Sequence, residues 1–259
     1  MGRIGHIGIA SALLAASLGT PAWAQPPAPT YVVIGDSVEF GLDDDIAADG
    51  FGYVPLVAAF LGTFFGQPVD VHNFGEPFAQ TRQIWREQLP EALAAAAGGA
   101  PLVVSWGGGG NDLAEVVTGP QAAACRQSRS CLGRLNGLLN EVEQTIDRTI
   151  RRLRAELGPD TVILMRTQYN ALLRPGCAPA EVAGLASVAL EGQPATVLDR
   201  GLNDRIRAVA EAYEAQVVDL FVPFAAAANT LVSTDCVHPS GAGHQAVGAL
   251  SQAAFLAAQ

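Results

Sequence analysis

Five short runs that read as strands alternate along the chain with stretches of helical period and loop. This alternation leaves the chain few architectures. The runs cover residues 31–34, 69–74, 101–106, 161–165 and 217–220. Between the third and fifth, Leu135, Leu138, Leu139, Val142, Ile146, Ile150, Leu153 and Leu157 recur at spacings of three and four. That is one apolar face of a helix, stopped by Gly158-Pro159. Residues 53–61, ended by Gly62, and residues 198–213 and 240–256 read as further helices. Thr81 caps another that carries Ile84 and Trp85, with Pro90 starting or kinking its continuation to Ala97. Residues 119–133 read as a polar excursion, and 169–195 as a loop-rich insertion. Parallel strands need long crossovers, and helical crossovers cover both sheet faces. The expectation is an α/β chain in three layers, α/β/α, around a parallel five-stranded sheet, with no internal repeat and no second domain.

Residues 1–24 stand apart. Arg3 precedes an apolar stretch at 7–18, and Ala22-Trp23-Ala24 has the small-x-small form of a leader cleavage site. A buried N-terminal helix is the alternative. The expectation is a signal peptide over 1–24, a secreted or periplasmic protein, and one domain over 25–259. No later run is long and uninterrupted enough to span a bilayer. Export makes cysteine pairing the default. Cys125 with Cys131 closes a small loop, which leaves Cys177 with Cys236. Metal binding is the rival, but no Cys-x-x-Cys occurs and no histidine stands at ligand spacing from a cysteine pair. The formal net charge of −10 argues against a nucleic-acid surface. All 15 basic residues are arginine, which excludes a Walker A lysine, a pyridoxal Schiff base and a lysine nucleophile. The Asp43-Asp44-Asp45 run reads as a solvated loop rather than a cation contact.

Gly35-Asp36-Ser37 follows the first run, so Ser37 lies at the rim of the sheet, where α/β folds place ligands. From the triplet alone a plain turn serves equally well. The far end of the chain shifts the balance. Asp235-x-x-His238-Pro239 supplies a base in a loop before a helix, with a carboxylate three residues earlier to orient it. Of the other histidines, His6 leaves with the leader, His72 lies in a strand and His244 in the last helix. Gly75 ends the second run, and Asn111 follows the third through Gly107-Gly108-Gly109-Gly110. Both would reach the same rim as Ser37 and could supply donors to an oxyanion. Residues 241–246 fit G-x-G-x-x-A, but no strand–helix–strand unit follows. There is no G-x-S-x-G elbow, and glycosidase carboxylates could be drawn from any of several aspartates.

Taken in order, Gly35-Asp36-Ser37, Asn73-Phe74-Gly75, Gly110-Asn111-Asp112 and Asp235-x-x-His238-Pro239 resemble the four blocks of the SGNH (GDSL) hydrolases, across nearly the whole chain after the leader. The resemblance implies a flavodoxin-like fold and an ester hydrolase that needs no metal or cofactor. It makes Ser37 the nucleophile, His238 the general base and Asp235 its orienter. The N–H groups of Ser37 and Gly75 and the Asn111 side chain form the oxyanion hole. Two departures stand beside the catalytic positions: Val38-Glu39 after the serine, and Glu76-Pro77-Phe78 after Gly75. A bridge from Cys236 to Cys177 would pin the catalytic loop to the 169–195 insertion, as in secreted lipase-like members. The substrate expected is a small-molecule or lipid ester, handled by a monomer, with the insertion lining an acyl site or acting as a lid. A carbohydrate O-acetylesterase is the alternative, and a non-catalytic binding module on the same fold is a third reading.

Overall fold

The computed structural model describes residues 27–42, 52–98 and 102–259; the leader at 1–24 and the Asp43-Asp44-Asp45 run lie outside the described residues. Five strands, β1 (Thr30–Ile34), β2 (Asp70–Asn73), β3 (Leu102–Trp106), β4 (Val162–Arg166) and β5 (Gln216–Val218), form one sheet in the order β2-β1-β3-β4-β5. Every pairing is parallel. The central strands read as continuous apolar runs because both of their faces are covered. Val32, Ile34, Val104, Trp106, Ile163 and Met165 enter one core layer, while Tyr31, Val33, Val103, Leu164 and Val218 enter the other.

The helices are α1 (Ser37–Phe40), α2 (Tyr53–Phe65), α3 (Thr81–Gln83), α4 (Leu89–Ala95), α5 (Gly110–Thr118), α6 (Ala122–Cys125), α7 (Arg129–Leu157), α8 (Ala180–Glu191), α9 (Leu202–Ala212), α10 (Phe221–Ala226), α11 (Ala228–Leu231) and α12 (Gly241–Ala257). Helices α4 to α9 pack on the first layer, and α2, α10, α11 and α12 on the second. The α7 stripe is core packing: Leu135, Leu139, Val142, Ile146, Ile150 and Leu153 are buried. A three-layer α/β/α sandwich with flavodoxin-like strand order results. In that order the chain reverses its direction of travel across the sheet between β1 and β3, which opens a crevice beyond their C-terminal ends.

Several boundaries differ from the sequence reading: Thr81 is the first residue of α3 and not its cap, which is Gln80, and the helix expected from 198 begins at Leu202. Helix α2 runs through Gly62 to Phe65 and is capped by Gly66, whose φ of 69° suits a glycine. A mid-helix glycine costs only about 1 kcal/mol, and Phe64 and Phe65 stack edge-on against Phe255. Helix α7 begins at Arg129, inside the expected excursion, because the Ser128 side chain caps it by accepting from the Cys131 N–H. The 169–195 insertion is organised by a 12-residue helix, α8, which buries Leu185, Ala186, Val188, Ala189 and Leu190. Gly184 and the preceding Pro175-Gly176 mask it in the sequence. Both cysteine pairs are bridged as expected, with Cα–Cα separations of 5.2 Å for Cys125–Cys131 and 5.4 Å for Cys177–Cys236.

Candidate active site

The end of β1 turns directly into α1, and the turn is built as a reciprocal cap. The Asp36 carboxylate accepts from the Val38 N–H at 3.0 Å, and the Glu39 carboxylate accepts from the Asp36 N–H at 3.1 Å. Ser37 is thereby the first residue of a four-residue helix at the crevice between β1 and β3. Gln88 holds the preceding residue from another element. Its side chain accepts from the Gly35 N–H at 2.7 Å and donates to the Gly35 carbonyl at 2.9 Å. Gln88 reaches inward because a π-helical turn, Ile84–Gln88, joins α3 to α4.

The loop before α12 carries the other half of the site. The Asp235 carboxylate accepts from the N–H groups of Val237 and His238, both at 2.9 Å, and its second oxygen meets His238 Nδ1. Burial works to raise the Asp235 pKa, but the two N–H groups and the His238 ring together hold it below the ordinary carboxylate value. The loop is held in place by several ties. The Tyr169 hydroxyl donates to the Val237 carbonyl at 2.7 Å, the Ser233 N–H donates to the His238 carbonyl at 2.9 Å, and Cys236 is bridged to Cys177.

Ser37 and Asn111 line one cavity of about 190 Å³ together with Cys236 and Val237, the residues immediately before His238. Asn111 lies in the first turn of α5, where its amide donates to the Ala79 carbonyl at 3.0 Å. Most of the remaining cavity wall is apolar, with Leu113 and Val117 from α5, Leu172, and Ala186, Ala189 and Leu190 from α8; Thr118, Gln168 and Asn170 also line it. Gly75 packs against the α1 turn. A Cβ there would stand 2.6 Å from the Phe40 nitrogen, so only glycine fits. Its N–H donates to the Asn73 side chain at 2.9 Å, and Asn73 in turn donates to the Glu39 carbonyl at 2.8 Å. Ser37, Asn111 and the His238 loop therefore converge on one cavity, while the Gly75 N–H and the Asn111 amide each already have a partner, Asn73 and the Ala79 carbonyl.

Several site residues escaped sequence reasoning. Arg166, at the end of β4, donates to Glu39 through Nε at 2.7 Å and Nη2 at 2.9 Å, and to Asp36 at 3.1 Å. Burial pushes the Glu39 carboxyl up to about 7 against the opposing pull of Arg166. The pattern Asp36-Ser37-Val38-Glu39 is a capping-box signature and could have exposed Glu39. Asp112 accepts from both the N–H and the hydroxyl of Thr81, at 3.0 and 2.8 Å, and so ties α5 to the start of α3. Among the described residues, no group of three His, Cys, Asp or Glu side chains is placed to hold a metal ion.

A doubly covered parallel sheet thus carries a serine and an amide on one cavity at its crevice, beside the loop that holds a histidine–aspartate pair, an arrangement suited to hydrolysis. The chain belongs to the GDSL-like lipase/acylhydrolase family, whose model matches residues 33–246, and it is an ester hydrolase. Its fold resembles that of the lipase Lip_vut3 from a goat rumen metagenome, with a TM-score of 0.66 and 18% identity over 88% of this chain and 97% of that one. Axe2, an acetylxylan esterase from Geobacillus stearothermophilus, superposes with a TM-score of 0.58 and 18% identity over 90% and 94% of the two chains. A lipase/acylhydrolase from Enterococcus faecalis gives 0.53 and 19% over 87% and 94%. At such identities the likeness is one of fold. No curated protein matches the chain.

Proposed function

We propose that this protein is an exported serine esterase acting on acyl chains, with Ser37 as nucleophile. His238 takes the Ser37 proton as the oxygen attacks the ester carbonyl, then passes it to the leaving alcohol, leaving an acyl group on Ser37. Water, deprotonated by the same imidazole, releases the acid and restores the serine. Asp235 fixes the imidazole through its contact with Nδ1 and stabilises the cation that forms. The negative oxygen is met by the Ser37 N–H, the Asn111 amide and the Gly75 N–H, the last shared with Asn73.

The observation that carries the substrate reading is the apolar wall leading away from Ser37 between α5 and α8. Each methylene buried there contributes about 0.8 kcal/mol, or roughly fourfold in kcat/KM, until the cavity is full. A sugar packed against Leu113, Val117 and Leu190 would instead leave hydroxyls without partners. The likeness to an acetylxylan esterase supplies the second reading, a carbohydrate O-acetylesterase. A p-nitrophenyl ester series from acetate to laurate separates the two. Rates should climb with chain length and then level off, and activity confined to acetate defeats the acyl-chain reading.

The two disulfides are compatible with an oxidising compartment, and among the described residues no helix is long and apolar enough to cross a membrane. Export and cleavage after Ala24, leaving one domain over 25–259, predict a mature N-terminus at Gln25. N-terminal sequencing of the secreted or periplasmic protein tests this. A monomer is expected, which light scattering on the purified protein tests.

A further inference from the structure

Two carboxylates and one guanidinium lie beneath Ser37, and the proposed chemistry uses none of them. The Glu39 side chain is fully buried, and those of Asp36 and Arg166 are 5% and 3% exposed. Charges at this depth destabilise a fold unless they are paired and hydrogen-bonded. Glu39 meets that requirement. Besides the two bonds from Arg166, its carboxylate accepts from the Tyr53 hydroxyl at 3.3 Å and from the Asp36 N–H. Apolar residues of equal volume are often as stabilising as a buried ion pair. What apolar residues cannot supply is direction.

Direction is what the turn needs. The N–H groups on either side of Ser37 are each claimed by a carboxylate, Asp36 N–H by Glu39 and Val38 N–H by Asp36. Arg166 draws both carboxylates toward the end of β4. The N–H between them, that of Ser37, is the one the arrangement does not use. The neighbouring backbone makes room for the pair. A Cβ on Gly35 would stand 2.5 Å from Glu39 Oε2, and one on Gly107 would collide with both Glu39 Oε1 and Arg166 Nε.

We propose that Glu39 and Arg166 are positioning residues for the nucleophile, fixing the peptide units on both sides of Ser37 and so the aim of its hydroxyl and N–H at the ester. The inference rests on Ser37 being the nucleophile. It is tested on the full mature chain with wild type, Glu39→Gln, Arg166→Lys and the double variant Glu39→Met/Arg166→Met. Three quantities are measured: kcat and KM on a p-nitrophenyl ester, the second-order rate at which a p-nitrophenyl phosphonate labels Ser37, and resistance to denaturant. In the single variants kcat and the labelling rate should fall about 100-fold, the loss expected when a reacting group moves by about 1 Å, while KM stays within about twofold. Arg166→Lys keeps the charge and loses the fork, so it should be slow as well.

The double variant separates positioning from plain structural support and still reads out if a single variant does not fold. It should recover part of the stability lost in the single variants, yet remain slow. No unpartnered charge is left at positions 39 and 166, and Asp36, though it loses Arg166, keeps its bond from the Val38 N–H. A double variant that regains both stability and the wild-type labelling rate overturns the proposal. So does a folded Glu39→Gln protein that labels at the wild-type rate. Wild-type protein in which Ser37 takes no label overturns the nucleophile assignment itself, and this proposal with it, an outcome that no change among the variants can imitate.

Discussion

Removing the Cys177–Cys236 bridge should weaken the protein about twice as much as removing Cys125–Cys131. The two bridges close loops of very different length, with sequence separations of 59 and 6. In the chain-entropy model, the unfolded chain regains about 4 kcal/mol of freedom when the long loop is released and about 2 kcal/mol when the short one is. At about 2–4 °C per kcal/mol for a chain of this size, the melting temperature should drop by about 8–16 °C for Cys177→Ala/Cys236→Ala and by about 4–8 °C for Cys125→Ala/Cys131→Ala. The catalytic loop keeps other anchors. Tyr169 still holds Val237, and Arg174 donates to the Asn229 and Val232 carbonyls at 2.8 and 2.5 Å. Ester turnover at 25 °C should therefore fall by less than about tenfold while the protein stays folded. Guanidinium titrations of the two double variants, checked for reversibility, give the free energies directly. Equal losses, or a larger loss from the short loop, would refute loop closure as the source of the stabilisation.

Three further outcomes follow from the site. Asn111→Ala should lower kcat by about 10²–10³ with little change in KM, the signature of a donor that acts on the developing oxyanion; a change confined to KM contradicts that role. Gly75→Ala should inactivate the enzyme, because its Cβ would press on the backbone of Glu39 and Phe40 at 2.8 and 2.6 Å and move the serine turn; wild-type turnover in this variant would show that the turn can give way. The Asp235 carboxyl is held below its unfolded value of 3.8, so the unfolded chain binds the proton more readily. Its stabilisation is present above about pH 3.8 and fades as the pH falls through the lower native value. Asp235→Asn should accordingly cost stability at pH 6 and progressively less below about pH 3.8, read by denaturant unfolding across that range.

The strands were legible because burial on two faces writes an unbroken apolar run into the sequence, as at Tyr31-Val32-Val33-Ile34. Helix α8 was not. Its alanines and Gly184 carry little periodic signal, and much of its burial comes from α5 and α6, far away in the chain, besides its neighbour α9. The site divides in the same way. The Asp235–His238 pair was readable because its two halves lie three positions apart in one loop, and Ser37 and Asn111 because each closely follows a strand. Arg166 and Glu39 are 127 positions apart, and a lone arginine ending an apolar strand carries no mark of its partner. The same holds for Gln88, whose reach to Gly35 spans 53 positions.

Gln88 also gives the helix that bears it an unexpected sensitivity to length. The extra residue in the Ile84–Gln88 turn acts as a register device. Deleting any one residue there would tidy the segment into a regular α-helix, with better local hydrogen bonding. The same deletion would swing position 88 around the axis by about 100° and release the peptide of Gly35. The clamp on the serine turn therefore depends on the number of residues in this segment as much as on their identity.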